Sequence, residues 1–405
     1  MISNLIINIL TTHNLTNKLV AYCADNANTN FGGISRKGEN NVFNRVKKHL
    51  NRNLFGVGCT AHIMHNAIQT AADLLPMDIE SIIVKIYSHF YIYTVRTESL
   101  KEFCMEAEVE YKRLLGYSKT RWLALLPAVE RILKLFIPLK SYFLSIDKCP
   151  KAIETFFNNA TSELWLLFLQ NQAALFSESV KKIEGNTTTL IETFQEVANL
   201  KIKLSERIAE GFIPLMVRSK FNQLHESGEM NEIWFKSHIK NFYVNCLTYL
   251  NNWSGHLDIA ENFIWVTLTR PIEWKNVQST YEFLNSNFPT NQIREDNLFD
   301  ETTFLREYVT PEKISTWKSN STSIDLKWVE VFTYFCSEDV PCMNLQKIIQ
   351  FCLCFPGTNA STERVFSIIN KLWTEEKTQL TIDTLKCILT VKCNMQLSCE
   401  DFINK

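Results

Sequence analysis

Asp25, Cys59, His62 and Glu363 are the residues of this 405-residue chain whose types and surroundings point to chemistry. Asp25 ends a short apolar run, Leu19-Val-Ala-Tyr-Cys-Ala24, that reads as a buried strand. The C-terminal edge of such a strand is where α/β sheets place ligands, and a carboxylate there can hold a divalent cation through oxygen. It can equally cap the next turn. Cys59-Thr-Ala-His62 has the spacing of half a zinc site, with His65 one turn further on. No second Cys-x-x-Cys or His-x-x-x-His pair completes it, and the plainer reading is a small buried cysteine and a histidine that satisfies a neighbouring loop. Glu363 follows a helix-capping candidate, Ser361, and precedes Val365 and Phe366. Taken alone, it is a first-turn carboxylate favoured by the helix dipole.

A second kind of chemistry is phosphate binding. Arg36, Lys37, Arg45, Lys47, Lys48 and Arg52 fall within 17 residues that hold one acid, Glu39. That local excess of positive charge can meet a phosphate backbone; the alternative is a solvated helix face. The whole chain carries a formal net charge of -1, so its overall balance gives no support for nucleic acid.

Around these residues the pattern predicts a small α/β part followed by a mainly helical body. Ile2 to Leu10 is a helix candidate, 19–24 a strand, and 26–33 a loop rich in Asn and Gly. Val42, Val46 and Leu50 recur at helical spacing, Leu54 to Cys59 is a second strand, and His62 to Leu75 is helical. Two strands joined through a helix suggest a parallel unit. From about Ile79 to Cys336 the signal is helical, with long stretches at 123–144, 152–173 and 187–208, and with a more polar part, 279–323, expected to contain long loops. Leu345 to Phe355 is an apolar helix stopped by Pro356-Gly357; further helices start near Ser361 and at Thr381, with Asp383 in the first turn of the last.

Composition agrees. Gly and Pro are scarce, at 11 and 10, while 27 Phe and 9 Trp supply large apolar side chains, which favours helices over a many-turned β fold. The opening residues lack the basic-then-apolar pattern of a secretory signal, so the 12 cysteines are expected to be reduced thiols of the cytosol or nucleus. No apolar run approaches membrane-spanning length.

Taken in order, Tyr22-Cys-Ala-Asp-Asn-Ala-Asn28, Cys59-Thr-Ala-His62, Arg121-Trp122 and Asn359-Ala-Ser-Thr-Glu-Arg-Val-Phe-Ser367 resemble the series of blocks in hAT-superfamily DNA transposases. The last block is the most specific, and the series runs through the whole chain. The resemblance implies a ribonuclease-H-like catalytic domain interrupted by a large helical insertion, with an Asp-Asp-Glu set that holds two Mg2+ or Mn2+ ions for phosphodiester chemistry. Asp25 matches the second aspartate and Glu363 the glutamate. Cys59 and His62 match a block beside the active site, and Arg121 and Trp122 match an Arg-Trp block whose ring is suited to an unstacked base, although Trp122 taken alone reads as a core residue. The resemblance also implies a nuclear location and a C-terminal dimerisation region, where Val365, Phe366, Ile369, Leu372, Leu385, Ile388 and Leu389 give apolar faces at helical spacing that can meet a partner or the chain's own core.

One departure shapes the functional expectation. Only 24 residues precede Asp25, and none is an aspartate, so neither the family's first catalytic aspartate nor its BED zinc finger has a counterpart. The expectation is therefore an incomplete ribonuclease-H-like fold: a partial domain over 1–125, a helical insertion over 126–335, and a dimerisation region over 336–405 that completes the first. The function expected is a transposase-derived protein, inactive in strand transfer and needing no metal, that associates with itself or a related hAT protein. The alternatives are an active hAT transposase, or one whose gene starts further upstream, and a DNA- or chromatin-binding protein that uses the 36–52 patch.

Overall fold

Helix α1 (Ile2–Thr12) leads into strand β1 (Ala21–Ala24), a one-turn helix α2 (Asn28–Phe31), helix α3 (Val42–Leu50) and strand β2 (Phe55–Gly58). The architecture is that of a computed structural model, which describes residues 2–34, 36, 38–116, 121–185, 188–288, 293–374 and 380–394. The two strands pair in parallel, from Ala21 opposite Phe55 to Ala24 opposite Gly58. Helix α3 forms the crossover. Asn41 caps it by accepting the Asn44 N–H at 2.8 Å, and Val42, Phe43 and Val46 turn inward against Phe31 and Leu54. Its last turn carries Lys47, Lys48 and His49, where positive charge suits the helix dipole.

The remaining elements of the described chain are helices: α4 (Thr60–Ala72), α5 (Ile79–Phe90), α6 (Thr94–Glu106), a 3-10 turn (Trp122–Leu125), α7 (Leu126–Lys134), α8 (Phe136–Ser145), α9 (Lys151–Asn158), α10 (Ser162–Ile183), α11 (Leu190–Ala209), α12 (Leu215–Glu226), α13 (Glu232–Trp253), a 3-10 segment (Gly255–Thr267), α14 (Trp274–Asn287), α15 (Glu295–Tyr308), α16 (Pro311–Ser319), α17 (Ile324–Ser337), α18 (Met343–Leu353), α19 (Ala360–Leu372) and α20 (Ile382–Asn394). The fold is thus mainly α with a small parallel α/β part. One cluster of buried apolar side chains runs from Val57 to Phe355. Helix α4 packs on α10 and α13, and α11 packs on α10 and α13. Trp165, Phe168, Phe176 and Phe242 are fully buried there, and each contributes roughly 1.5–3 kcal/mol of transfer free energy. No helix among the described residues is long and apolar enough to cross a membrane.

Three helical expectations need correction. The stretch 123–144 is broken at Leu135, with Pro138 in the first turn of the following helix, where a proline is tolerated. The stretch 152–173 is two helices, because the Asn159 side chain accepts the Thr161 N–H at 2.9 Å and offers the backbone a turn instead. The polar part 279–323 is built from the end of α14 and from α15 and α16 rather than from long loops. In α15 Leu298, Glu301, Thr302 and Leu305 face inward at helical spacing, with the Glu301 carboxylate accepting from Asn344 and the Leu345 N–H, while most other polar residues face out. Thr310 then caps α16, which has Pro311 at its start. The final helix behaves as expected, with Thr381 accepting the Thr384 N–H at 3.2 Å.

Candidate functional site

Cys59 lies where the sheet hands over to α4. Its N–H donates to the Ala24 carbonyl at 2.7 Å, which places it beside Asp25 at the C-terminal edge of the two strands. Gly58 makes the close approach possible, because a Cβ there would overlap the Asn26 side-chain oxygen. The Cys59 sulfur accepts the Asn359 N–H at 3.5 Å, which fastens the start of α19 onto the end of β2. Thr60 N–H reaches the Gly357 carbonyl at 3.5 Å, and Gly357 itself sits so close to Thr193 that no side chain fits. Burial pushes the Cys59 thiol up to about 11, against the opposing pull of the Asn359, His62 and Ala61 amides.

One helical turn along α4, His62 brings Nδ1 to 3.4 Å from Oε1 of Glu363, at the start of α19. The ligand atoms of Cys59, His62 and Glu363 all lie within 4.8 Å of one another. The other carboxylate oxygen, Oε2, accepts from Arg121 Nε at 3.2 Å and from Arg121 Nη2. Arg121 Nη1 meets Glu184 Oε1 at 2.9 Å, at the C-terminal end of α10. Desolvation acts against the guanidinium charge, but Glu363 and Glu184 outweigh it and hold Arg121 above its ordinary range. Burial raises the Glu184 carboxyl, and Arg121 opposes that rise. His65 anchors the same region by accepting the Leu123 N–H on Nδ1 at 3.2 Å; burial, with Arg121 and His62 adding to it, lowers His65 to about 4.

Asp25 is nearby in the sheet but is not part of this group. Its Oδ1 accepts the Ala27 N–H at 3.1 Å and Asn30 Nδ2 at 2.6 Å, so the carboxylate organises its own turn. A pair of Mg2+ or Mn2+ ions requires a set of oxygen ligands. Around Glu363 the described donors are instead a thiol and an imidazole, and the second oxygen is engaged by a guanidinium. These residues as placed do not fit a two-cation oxygen site.

Trp122 follows Arg121 but is only 3% exposed, packed into the main core. Of the basic patch, Arg36 lies over the Phe31 ring at 4.3 Å and donates to the Gly56 carbonyl, while Arg52 donates to the Thr16 carbonyl at 2.8 Å and to that of Leu19. Burial lowers both guanidinium groups. Carbonyl acceptors inside the fold hold these two arginines in place of solvent phosphate. Arg45 and Lys48 are exposed on α3 with Lys47 half-buried, and Lys37 lies outside the described residues.

At the C-terminus α19 and α20 pack on one another. Leu385 is buried; Val365, Ile369, Leu372, Ile388 and Leu389 are half-buried; Phe366 is 57% exposed. Trp373, Ile382 and Val391 add to the same apolar exposure on this hairpin. Glu184 and Asn359 belong to the site but were not singled out from sequence. Nothing local marks Glu184, whereas Asn359 stands inside the motif that contains Glu363. No protein-family model matches the chain, and no curated protein matches it.

Proposed function

We propose that this chain is a transposase-derived protein of the hAT kind that does not transfer DNA strands and that associates through its C-terminal helical hairpin, with a second copy or a related hAT protein, in the nucleus. The observation that supports this most is the meeting of Cys59, His62, Arg121 and Glu363: three of the four ordered blocks come together, although Arg121 and Glu363 are 242 residues apart. An incomplete ribonuclease-H-like domain interrupted by a helical insertion accounts for that meeting. The inactive assignment draws on Asp25, whose carboxylate is held in its own turn, and on Glu363, which is held by Arg121. Association draws on Phe366, Trp373, Ile382 and Val391, a set of large apolar side chains left outward on two short helices.

Sedimentation of the purified chain is the first test. A dimer at micromolar concentration is expected, and a strict monomer at high micromolar concentration removes the association. Incubation with duplex DNA carrying terminal inverted repeats and Mg2+ or Mn2+ should give no cleavage. Cleavage that disappears in Glu363→Gln overturns the inactive assignment and restores an active transposase. A DNA- or chromatin-binding role has one observation in its favour, the exposed Arg45 and Lys48 on α3. Reversing the charge of Lys47 and Lys48 should then weaken DNA binding and flatten its salt dependence; unchanged binding counts against it.

A further inference from the structure

The geometry points to a zinc-type metal site formed by Cys59 Sγ, His62 Nδ1 and Glu363 Oε1, with a fourth position left for water. Bonds of about 2.0–2.3 Å at tetrahedral angles separate ligand atoms by roughly 3.3–3.8 Å. His62 Nδ1 and Glu363 Oε1 stand 3.4 Å apart, and the sulfur completes a triangle with no side longer than 4.8 Å. Full coordination requires the longer sides of that triangle to shorten by up to about 1 Å. The imidazole nitrogen is buried and makes no aligned hydrogen bond, even to the carboxylate it faces. A cation between the two satisfies both lone pairs.

The surroundings are arranged as a metal's outer shell. Asn359 N–H already points at the sulfur. Arg121 holds the distal carboxylate oxygen and leaves Oε1 turned toward His62. Asn359 Oδ1 is a buried acceptor with no protein partner, and it stands next to the cluster through its own backbone. A metal-bound water is a suitable donor for it. A dipositive ion, the Cys59 thiolate, Glu363, Glu184 and Arg121 sum to neutrality, with the Arg364 guanidinium a further positive charge beside Glu184, once the thiol proton has left for solvent as the sulfur–metal bond forms. Thiolate and imidazole select a zinc-type ion over Mg2+. The ion would clip α19 to the start of α4. The cluster stands whether or not the chain associates through α19 and α20, so loss of one leaves the other to be tested.

Cobalt(II), an optical stand-in for zinc, tests the site on the full-length chain after chelator treatment. Titration should saturate at one ion per chain, with a thiolate-to-cobalt charge-transfer band and the visible absorption of a four-coordinate ion. Equimolar Zn2+ should abolish both bands, and a large excess of Mg2+ should not. Cys59→Ser should remove the charge-transfer band, while His62→Ala and Glu363→Gln should each weaken binding at least about tenfold. Replacing the exposed Cys336, Cys354, Cys387 and Cys393 together by Ser should leave the band intact. Circular dichroism follows folding. If the buried Cys59 does not tolerate Ser, the partly exposed His62 carries the test. Absence of the bands in the parent chain, their persistence at full strength in His62→Ala, or displacement by Mg2+ each overturns the site.

Discussion

The helical body and the C-terminal hairpin use the same residue types but bury different shares of them, although body helices also leave some apolar residues outward, such as Ile233. In α10 and α13, Trp165, Phe168, Phe235 and Phe242 turn inward and are at most 1% exposed. In α19 and α20, Phe366 is 57% and Ile382 62% exposed, and only Ala360 and Leu385 are buried among the described residues of the pair. A long helix surrounded by others has partners on every side for its apolar stripe. A two-helix hairpin can cover only one face of each helix. Its remaining apolar surface is a cost in water and a resource in an interface.

The largest effect that would break this contrast is in the body. Phe168→Ala should cost about 3–5 kcal/mol in urea unfolding, because it opens a fully buried cavity; a loss under about 1 kcal/mol would mean the body is as loosely held as the hairpin. Next comes the joint between the two regions. Arg121→Ala leaves Glu363 and Glu184 without their shared guanidinium and should cost about 1.5–3 kcal/mol, with Arg121→Lys recovering part, since an ammonium cannot fork to both.

A smaller effect concerns pH. Burial, with Arg96 beside it, lowers His89 to about 4, so its folded form resists protonation while the unfolded form accepts a proton near 6.5. The unfolded state therefore binds more protons in that window, and stability should fall as pH drops from about 6.5 toward 4. His89→Gln should reduce that slope, with the rest kept by His65 and His256, which burial also lowers to about 4. Phe366→Ser should have the smallest effect on folding, within about 0.5 kcal/mol. Association should nevertheless weaken about tenfold or more by sedimentation, as loss of a central apolar anchor does. A large loss of folding stability instead would place Phe366 in the core with the body residues.

Much of the fold was legible in local pattern. The apolar run ending at Ala24, the Val42–Val46–Leu50 spacing and the Pro356-Gly357 stop each specify an element, because strand and helix periods are written in neighbouring residues. The expectation of loops over 279–323 failed for a related reason. Polar residues there lie on the outward faces of helices, and composition without phase does not distinguish such a face from a loop.

The sequence by itself determined both strands and many of the helices, that the only sheet among the described residues is small and parallel, and which residue types could do chemistry. Tertiary structure decided which of them meet. It brought Glu363 to Cys59 and His62, added Glu184 through Arg121, kept Asp25 in its own turn and sealed Trp122 in the core. The reason is one of range. Backbone periodicity is fixed within a few residues, whereas a ligand set depends on packing between segments hundreds of residues apart.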